Sequence, residues 1–191
     1  RRECSCRGTA RYGFTAVRVA VIRLCDPMQF NALSHVLSCD LAEAVACALV
    51  RANARALSLQ GVGPHFCVGA SPFGAHTQVP LSTLATSVSA MAHACCSIRI
   101  LPVAAAVHGH VVGGGMALSL NAGLLVAEPS TTFAPGPLPR GVCPIAEFSQ
   151  TLIGRLSAAS SAFYLTNTAL RAPAALSLGL VQAVACSVHA A

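Results

Sequence analysis

The chain has 191 residues, of which 54% are hydrophobic and only 9% are charged. That length suits one domain with a sizeable core, so we expect a single domain over residues 1–191, with residues 1–14 as a poorly defined N-terminal extension. All 12 basic residues are Arg, which excludes lysine as a nucleophile or Schiff-base former. The net charge of +6 favours an acidic partner, but the scattered basic residues and few aromatics argue against nucleic acid.

Ten cysteines would suit a disulfide scaffold in a small secreted chain, but this chain is large and apolar enough to fold without cross-links. We therefore expect reduced thiols and an intracellular, reducing compartment, either the cytoplasm or an organelle stroma or matrix. Cys4 with Cys6, or Cys95 with Cys96, lacks the second ligand pair that a zinc site needs. No metal site is predicted.

The first half of the chain alternates strands and helices. Residues 17–24, "VRVAVIRL", alternate like a strand, and "DPMQFNALS" (26–34) interrupts it. Ser34 is placed to cap a helix whose apolar stripe recurs every four residues at Leu37, Leu41, Val45 and Leu49. Residues 56–61 then predict a strand, 62–74 a loop and 81–96 a helix.

Residues 100–127 contain no charged side chain, which meets the length criterion for a membrane span. Pro102, His108, His110 and the triplet Gly113 to Gly115 argue against that interpretation. We instead predict a buried strand "PVAAAVHG" (102–109), a glycine turn, a helix "MALSLNAG" (116–123) and a buried strand "LLVAE" (124–128). No membrane span is expected.

The last third begins with a Pro/Gly-rich loop, "PSTTFAPGPLPRGVCP" (129–144). Helices follow near 149–168 and 172–180, and "LSLGLVQAVACSV" (176–188) predicts a helix end and then a strand. Alternating strands and helices predict an α/β architecture whose loops at the strand ends form a site.

Five motifs in this order resemble the crotonase, or enoyl-CoA hydratase/isomerase, superfamily. They are "NALS" (31–34), "GPHFCVGAS" (63–71), "HGHVVGGG" (108–115), "GVCP" (141–144) and "GLVQAV" (179–184). Each is weak alone, but together they cover about residues 17–184. The resemblance implies a fold of repeated ββα units and usually trimers, although the helices that normally follow "GLV" are not found, so the C-terminal helical region is expected to be truncated.

The resemblance also implies an oxyanion hole, in which two backbone N–H groups hold a thioester oxygen as it becomes an enolate. By motif position the donors are Ala70, after Gly69, and Gly114, between Gly113 and Gly115. Glycine at these positions lets the backbone approach a substrate closely. The alternative is that the three consecutive glycines only allow a strand and a helix to pack closely.

Hydratases of this superfamily carry two glutamates, and the corresponding positions here are Ala117 and Pro137. Without a positioned acid and base, ordinary addition of water is not expected. The pattern resembles the decarboxylases of polyketide β-branching cassettes, which act on a glutaconyl-type thioester. Departing CO2 supplies the electrons in that reaction, so an enolate stabiliser matters more than a strong base. No cofactor is implied beyond the phosphopantetheine of CoA or an acyl-carrier protein that carries the substrate.

Those decarboxylases also use a lysine beyond "GAS" and a C-terminal histidine, and this chain has no lysine and only His189 in an unmatched tail. We take His76 as the replacement proton donor. His110, Cys67 and Arg140 are further pocket candidates. For each of these four, an ordinary structural or surface role is the alternative.

Three hypotheses remain open from the sequence. The first is a decarboxylase or related enolate-stabilising lyase that acts on an acyl-carrier-protein or CoA thioester. The second is a crotonase-derived structural or assembly subunit that has lost catalysis, as a homotrimer or in a larger complex. The third is a hydratase or isomerase with substitute residues.

Overall fold

The computed structural model describes residues 2–4, 9–15, 18–51, 53–70, 80–136 and 144–186. The strands described are β1 (Arg2–Cys4), β2 (Ala10–Phe14), β3 (Val19–Leu24), β4 (Ala56–Gly61), β5 (Val103–Val107), β6 (His110–Val112), β7 (Leu124–Ala127), β8 (Thr132–Ala134), β9 (Leu170–Arg171) and β10 (Ala183–Val184). The helices are α1 (His35–Ala46), α2 (Leu81–Ile98), α3 (Gly114–Leu120), α4 (Phe148–Leu156), α5 (Ala159–Thr166) and α6 (Ala172–Ser177), with a 3-10 turn at Pro27–Gln29 and a π turn at Cys47–Arg51.

The larger sheet has the order β1-β2-β3-β4-β5-β7-β10. Its first three strands are antiparallel, and from β3 onward neighbouring strands run parallel. Ile22 pairs with Leu59, which in turn pairs with Ala105, so one face carries a continuous row of buried side chains. Those side chains share one core with the buried residues of α1 and α2. The α/β class predicted from the sequence is confirmed.

A smaller sheet holds the end of the glycine segment in place. It has the order β6-β8-β9, with β6 parallel to β8 and β9 antiparallel to β8. His110 pairs with Thr132 and Val112 with Ala134. The Pro/Gly-rich residues 129–144 predict a loop, but within them residues 132–134 form β8. This strand forms because β6 and β9 supply hydrogen-bond partners from distant parts of the chain.

Helix α1 forms as the stripe of apolar residues predicts. The Ser34 side chain accepts a hydrogen bond of 3.1 Å from Leu37 N, which satisfies one of the N–H groups that a helix start leaves unpaired. Leu37, Leu41 and Val45 are fully buried. Leu49 falls in the π turn that follows α1.

The uncharged segment 100–127 forms β5, β6, the seven-residue α3 and β7. The predicted strand, helix and strand are present, but β6 lies in the region predicted as a turn, and the helix covers Gly114–Leu120 rather than 116–123. Elsewhere, α2 is the one helix in the described ranges that is long and apolar enough to cross a membrane. This is weak evidence, because core helices of soluble proteins meet the same criterion, and α2 packs against α1.

Three boundaries differ from the sequence prediction. Within the poorly defined residues 1–14, Ala10–Phe14 is a strand antiparallel to β3. The helix predicted over 149–168 is two helices, because Ser157 has a φ of 47° and a helix cannot continue through a left-handed residue. The final strand is only Ala183–Val184, parallel to β7.

The cysteines whose side chains are described are free thiols.

Candidate functional site

An apolar cavity of about 810 Å³, including the space at its open mouth, lies beside the glycine segment. Three walls enclose it: residues 68–70, residues 112–114, and the face of α2 that carries Leu84, Ser87, Val88 and Met91. Leu33, Ile145 and Phe148 close the remaining sides. Its apolar lining is typical of a small-molecule site.

Two backbone segments meet at this cavity and are tied together by hydrogen bonds. Val112 N donates to Cys67 O at 3.1 Å, Leu33 N donates to Gly69 O at 2.7 Å, and Gly113 N donates to Ala134 O at 3.1 Å. A side chain at Gly69, whose φ is +84°, would place its Cβ 2.6 Å from Val112 O and 3.2 Å from Gly114 N. Glycine is therefore required where these segments touch.

Ala70 and Gly114 both line the cavity, one at the end of each segment. Gly114 is the first residue of α3, so its N–H has no acceptor within the helix. Among the described residues, neither the Ala70 N–H nor the Gly114 N–H has a backbone or side-chain acceptor. The structure thus places at one cavity the two backbone N–H groups that the sequence resemblance paired, each without an acceptor among the described residues.

Ala117 lines the same cavity one turn further along α3. Its side chain offers no acid or base where the resemblance places a hydratase glutamate. Among the described lining residues, the only polar side chains are the hydroxyls of Ser38 and Ser87, with no carboxylate, imidazole or guanidinium. The described walls can therefore polarise a substrate through the backbone, while acid–base chemistry depends on those hydroxyls or on residues outside the described ranges.

Glu147, the acidic residue nearest in sequence to the second hydratase position, does not reach the cavity. Its carboxylate forms an ion pair with Arg99, at the C-terminal end of α2, and accepts a hydrogen bond from the Cys96 thiol. Both partners are on the outer surface. The loop that contains Glu147 is therefore held against α2 by a surface ion pair.

Cys67 and Gly115 lie behind the cavity wall. A Cβ at Gly115 would overlap Cys67 O and lie 2.7 Å from Cys67 Cβ, so this glycine permits α3 to pack against the 67–70 segment. Burial raises the pKa of the Cys67 thiol to about 12. A thiol in that environment stays protonated at neutral pH and packs as a small hydrophobic group.

His110 contributes a strand residue to the smaller sheet, but its side chain is exposed. Its ring packs against that of His65 at a tilt of 53°, with 4.7 Å between centroids, and its backbone N–H donates to His65 Nδ1 at 3.2 Å. Burial, and then the nearby His110, lower the pKa of His65. The His108 ring is buried, with Nε2 2.8 Å from Gly63 O. The structure does not bring the His110 side chain to the cavity.

The other predicted site residues, His76, Pro137 and Arg140, lie outside the described residues. Within the described ranges, no group of three or more His, Cys, Asp or Glu is placed to hold a metal ion.

Sequence reasoning missed the α2 wall and the role of Asn31. Asn31 is buried, its Nδ2 donates to Val62 O and His65 O, and its Oδ1 accepts from Asp26 N. It thereby fastens the loop that leads into residues 66–70. The "NALS" motif contains this asparagine, but the sequence alone does not show which backbone groups its side chain binds.

The chain is similar to known proteins over most of its length. Residues 15–189 match the family model Enoyl-CoA hydratase/isomerase. A probable enoyl-CoA hydratase of Mycobacterium tuberculosis is 34% identical over 119 residues, which cover 60% of this chain and 45% of that protein. The match thus spans less than half the length of this curated relative.

Solved structures show the same fold. An enoyl-CoA hydratase from Bacillus anthracis superposes with a TM-score of 0.85 at 25% identity, covering 95% of this chain and 71% of that one. A candidate enoyl-CoA hydratase from Thermobifida fusca, solved with acetoacetyl-CoA, gives a TM-score of 0.82 at 21% identity, covering 93% and 73%.

The family model covers nearly the whole chain, and the solved structures share its fold. The chain belongs to the enoyl-CoA hydratase/isomerase family.

Proposed function

We propose that the protein binds an acyl thioester in the cavity and stabilises its enolate. The carbonyl oxygen would accept hydrogen bonds from the Ala70 and Gly114 N–H groups, while the acyl chain would contact the apolar α2 wall. The observation that carries the proposal is that two backbone N–H groups without an acceptor in the described part of the chain lie at one open, apolar cavity. Donors fixed in advance where negative charge develops stabilise a transition state without reorganisation.

The reaction that best fits the described lining is decarboxylation. The bond between the α- or γ-carbon and the substrate carboxylate breaks, its electron pair passes into the thioester enolate, and CO2 leaves. A proton then adds to the enolate carbon. No base is needed to start this sequence, which agrees with Ala117 and with the absence of a carboxylate among the described lining residues. His76 is the proton donor predicted from the sequence.

The substrate carrier is either CoA or an acyl-carrier protein. Acetoacetyl-CoA in the Thermobifida fusca structure supports a CoA thioester. Met28 favours a carrier protein, because CoA users of the family often have a basic residue near this position, and Met28 is 89% exposed with no charge to offer a nucleotide. The net charge of +6 suits either anionic partner.

Hydratase or isomerase activity is the second candidate, favoured by the names of the curated relative and of the solved structures. It requires an acid and a base, for which the described lining offers only the Ser38 and Ser87 hydroxyls. The third hypothesis, an inactive assembly subunit in a trimer or larger complex, draws no support from the cavity, which is open rather than filled by side chains.

Gly114 offers a direct test, because it is the first residue of α3 and proline is tolerated there. Both Gly114→Ala and Gly114→Pro add a Cβ, which would meet Leu33 Cδ1 at 2.5 Å, but only proline removes the N–H donor. Release of CO2 from glutaconyl-CoA should fall about 100-fold or more in Gly114→Pro relative to Gly114→Ala.

The wild-type protein assayed with crotonyl-CoA distinguishes the second candidate. Hydration of crotonyl-CoA without CO2 release from glutaconyl-CoA or from a glutaconyl carrier protein would replace the decarboxylase proposal. Equal rates in the two Gly114 variants would reject the oxyanion hole, and absence of both activities would favour the assembly subunit.

A further inference from the structure

The cavity contains a polar pair that the proposed function does not use, formed by Ser87 of α2 and His35 of α1. Ser87 lines the cavity and is half-buried. Its Oγ lies 2.9 Å from His35 Nδ1. Within the described lining, Ser87 is the one hydroxyl whose hydrogen-bond partner is a titratable side chain.

We propose that Ser87 and His35 form a proton relay that exchanges a proton between solvent and the α-carbon of the bound acyl thioester. The Ser87 hydroxyl would touch the substrate, and His35 would act through it. This relay rests on the proposed function, because it needs a thioester enolate in the cavity. It supplies the acid–base group that Ala117 does not provide.

The hydrogen-bond geometry fixes the resting state of the pair. A serine hydroxyl has one hydrogen, and Ser87 Oγ also lies 2.7 Å from Thr83 O, so the hydroxyl donates to that carbonyl. It can then only accept from His35, whose Nδ1 must carry the proton. Rotation about the Cβ–Oγ bond would turn the hydroxyl hydrogen from Thr83 O toward the cavity.

His35 is placed to exchange protons with water. It is the first residue of α1, and its side chain is exposed, whereas Ser87 is on the cavity side of the pair. The only other side-chain contact described for His35 Nδ1 is Cys39 Sγ, at 3.9 Å. The pair therefore spans the wall between solvent and the cavity, and the Cys39 thiol is the one further titratable group described beside His35.

The relay balances in both directions. In protonation, the enolate carbon takes the proton of Ser87 Oγ, Ser87 Oγ takes the Nδ1 proton of a cationic His35, and the neutral ring regains a proton from water. The reverse direction starts from the other neutral tautomer, in which Nε2 carries the ring proton. The α-carbon gives its proton to Ser87 Oγ, the Ser87 proton passes to Nδ1, and the electron pair enters the thioester enolate.

Hydrogen–deuterium exchange at the α-carbon of butyryl-CoA in D2O, followed by NMR, measures this relay without any carboxylate leaving. We expect Ser87→Ala and His35→Gln each to slow exchange about 100-fold, the lower range for general acid–base groups. The dissociation constant for butyryl-CoA should change less than about twofold. Ser87→Thr keeps a hydroxyl and should restore much of the rate.

His93→Gln is the matched control. His93 is an exposed histidine on the same helix, 3.5 Å from the hydroxyl of Ser97 and outside the cavity lining, so its loss should leave exchange unchanged. Thermal melting of every variant identifies a purely structural pair, for which melting temperature would fall while exchange by the remaining folded protein stayed at the wild-type rate. That result would overturn the relay.

The same assay separates this proposal from the proposed function. Exchange that is lost in Gly114→Pro but retained in Ser87→Ala and His35→Gln would overturn the relay and leave the enolate-stabilising site intact. Loss in His76→Gln together with retention in Ser87→Ala would assign the proton to His76 instead. A wild-type protein that binds butyryl-CoA without any exchange would overturn the relay, whereas the proposed function is decided separately by CO2 release from glutaconyl-CoA.

Discussion

Individual residues shape this site chiefly through what they allow the backbone to do. Gly69 adopts a positive φ where a side chain would strike Val112 O, and Gly115 lets α3 approach the carbonyl of Cys67. Gly114 is different, because the atom nearest to an added Cβ is the flexible end of the Leu33 side chain. Neighbouring glycines thus have separate roles, close packing for Gly115 and access to the cavity for Gly114.

Gly115→Ala should therefore destabilise the protein far more than an ordinary glycine substitution. The added methyl would overlap the Cys67 backbone, which cannot move without displacing the 67–70 segment, so we expect a loss of about 3 kcal/mol in the free energy of unfolding. Chemical denaturation measures the change.

Gly154→Ala is the matched control, because Gly154 lies inside α4 with nothing within 4 Å of an added Cβ. Alanine there should stabilise the protein by up to about 1 kcal/mol through helix propensity. Equal effects of the two substitutions would contradict the close packing assigned to Gly115.

At the scale of elements, the cavity depends on how loops are fastened to the strands. Asn31, in the 3-10 turn region after β3, donates two hydrogen bonds to the loop after β4 and accepts a third from Asp26 N within its own turn region. Its φ of 54° lies in the left-handed region, which asparagine tolerates better than most residues. One side chain thus sets the path of the chain into residues 66–70.

Asn31→Ala should lower the free energy of unfolding by roughly 4 kcal/mol, because it leaves buried partners unsatisfied and places alanine at a positive φ. Asn31→Gly removes the same hydrogen bonds without the backbone penalty, so it should lose about 1 kcal/mol less. Denaturant unfolding of both variants separates the two contributions.

Asn167→Gly provides the comparison for this pair of variants. Asn167 also has a left-handed φ, of 50°, but it accepts a single described hydrogen bond, from Gly136 N. Its replacement should cost only about 1 kcal/mol. A similar loss at positions 31 and 167 would contradict the loop-fastening role of Asn31.

The elements that the sequence predicted are those with a local signal. Ser34 and the Leu37, Leu41 and Val45 stripe define α1 within one stretch of chain, and the period-two burial of β4 does the same for that strand. β8 depends instead on pairing with β6 and β9, and the break at Ser157 has no glycine or proline to announce it.

The residues of the candidate site also differ in whether a short stretch of sequence predicts them. Ala70 and Gly114 were paired by motifs that each occupy a few consecutive residues. Ser87 joins them only because α2 packs across α1, and no short stretch of sequence records that contact. His110 was placed near the cavity by its distance along the chain from the glycines, but alternation in β6 points its side chain outward.

At the scale of the whole molecule, one core joins the larger sheet, α1, α2 and α3. Two thiols, Cys67 and Cys95, are buried in it, and burial raises the pKa of each to about 12 from an ordinary value of 9.0. Because an ionised thiol cannot be accommodated in that core, folding and thiol ionisation oppose each other.

Stability should consequently fall at alkaline pH. A group whose pKa is raised on folding contributes stability that is fully present below its unfolded pKa, near 9, and is lost as the pH rises toward 12. For each thiol the slope should approach about 1.4 kcal/mol per pH unit. Denaturant unfolding between pH 8 and about 10.5 under reducing conditions measures how the free energy of unfolding changes with pH.

The Cys67→Ala, Cys95→Ala double variant should show a shallower slope than the wild type, whatever its absolute stability. Cys186→Ala, which removes an exposed thiol, is the control and should keep the wild-type slope. An unchanged slope in the double variant would show that the two buried thiols do not control the alkaline limit of the fold.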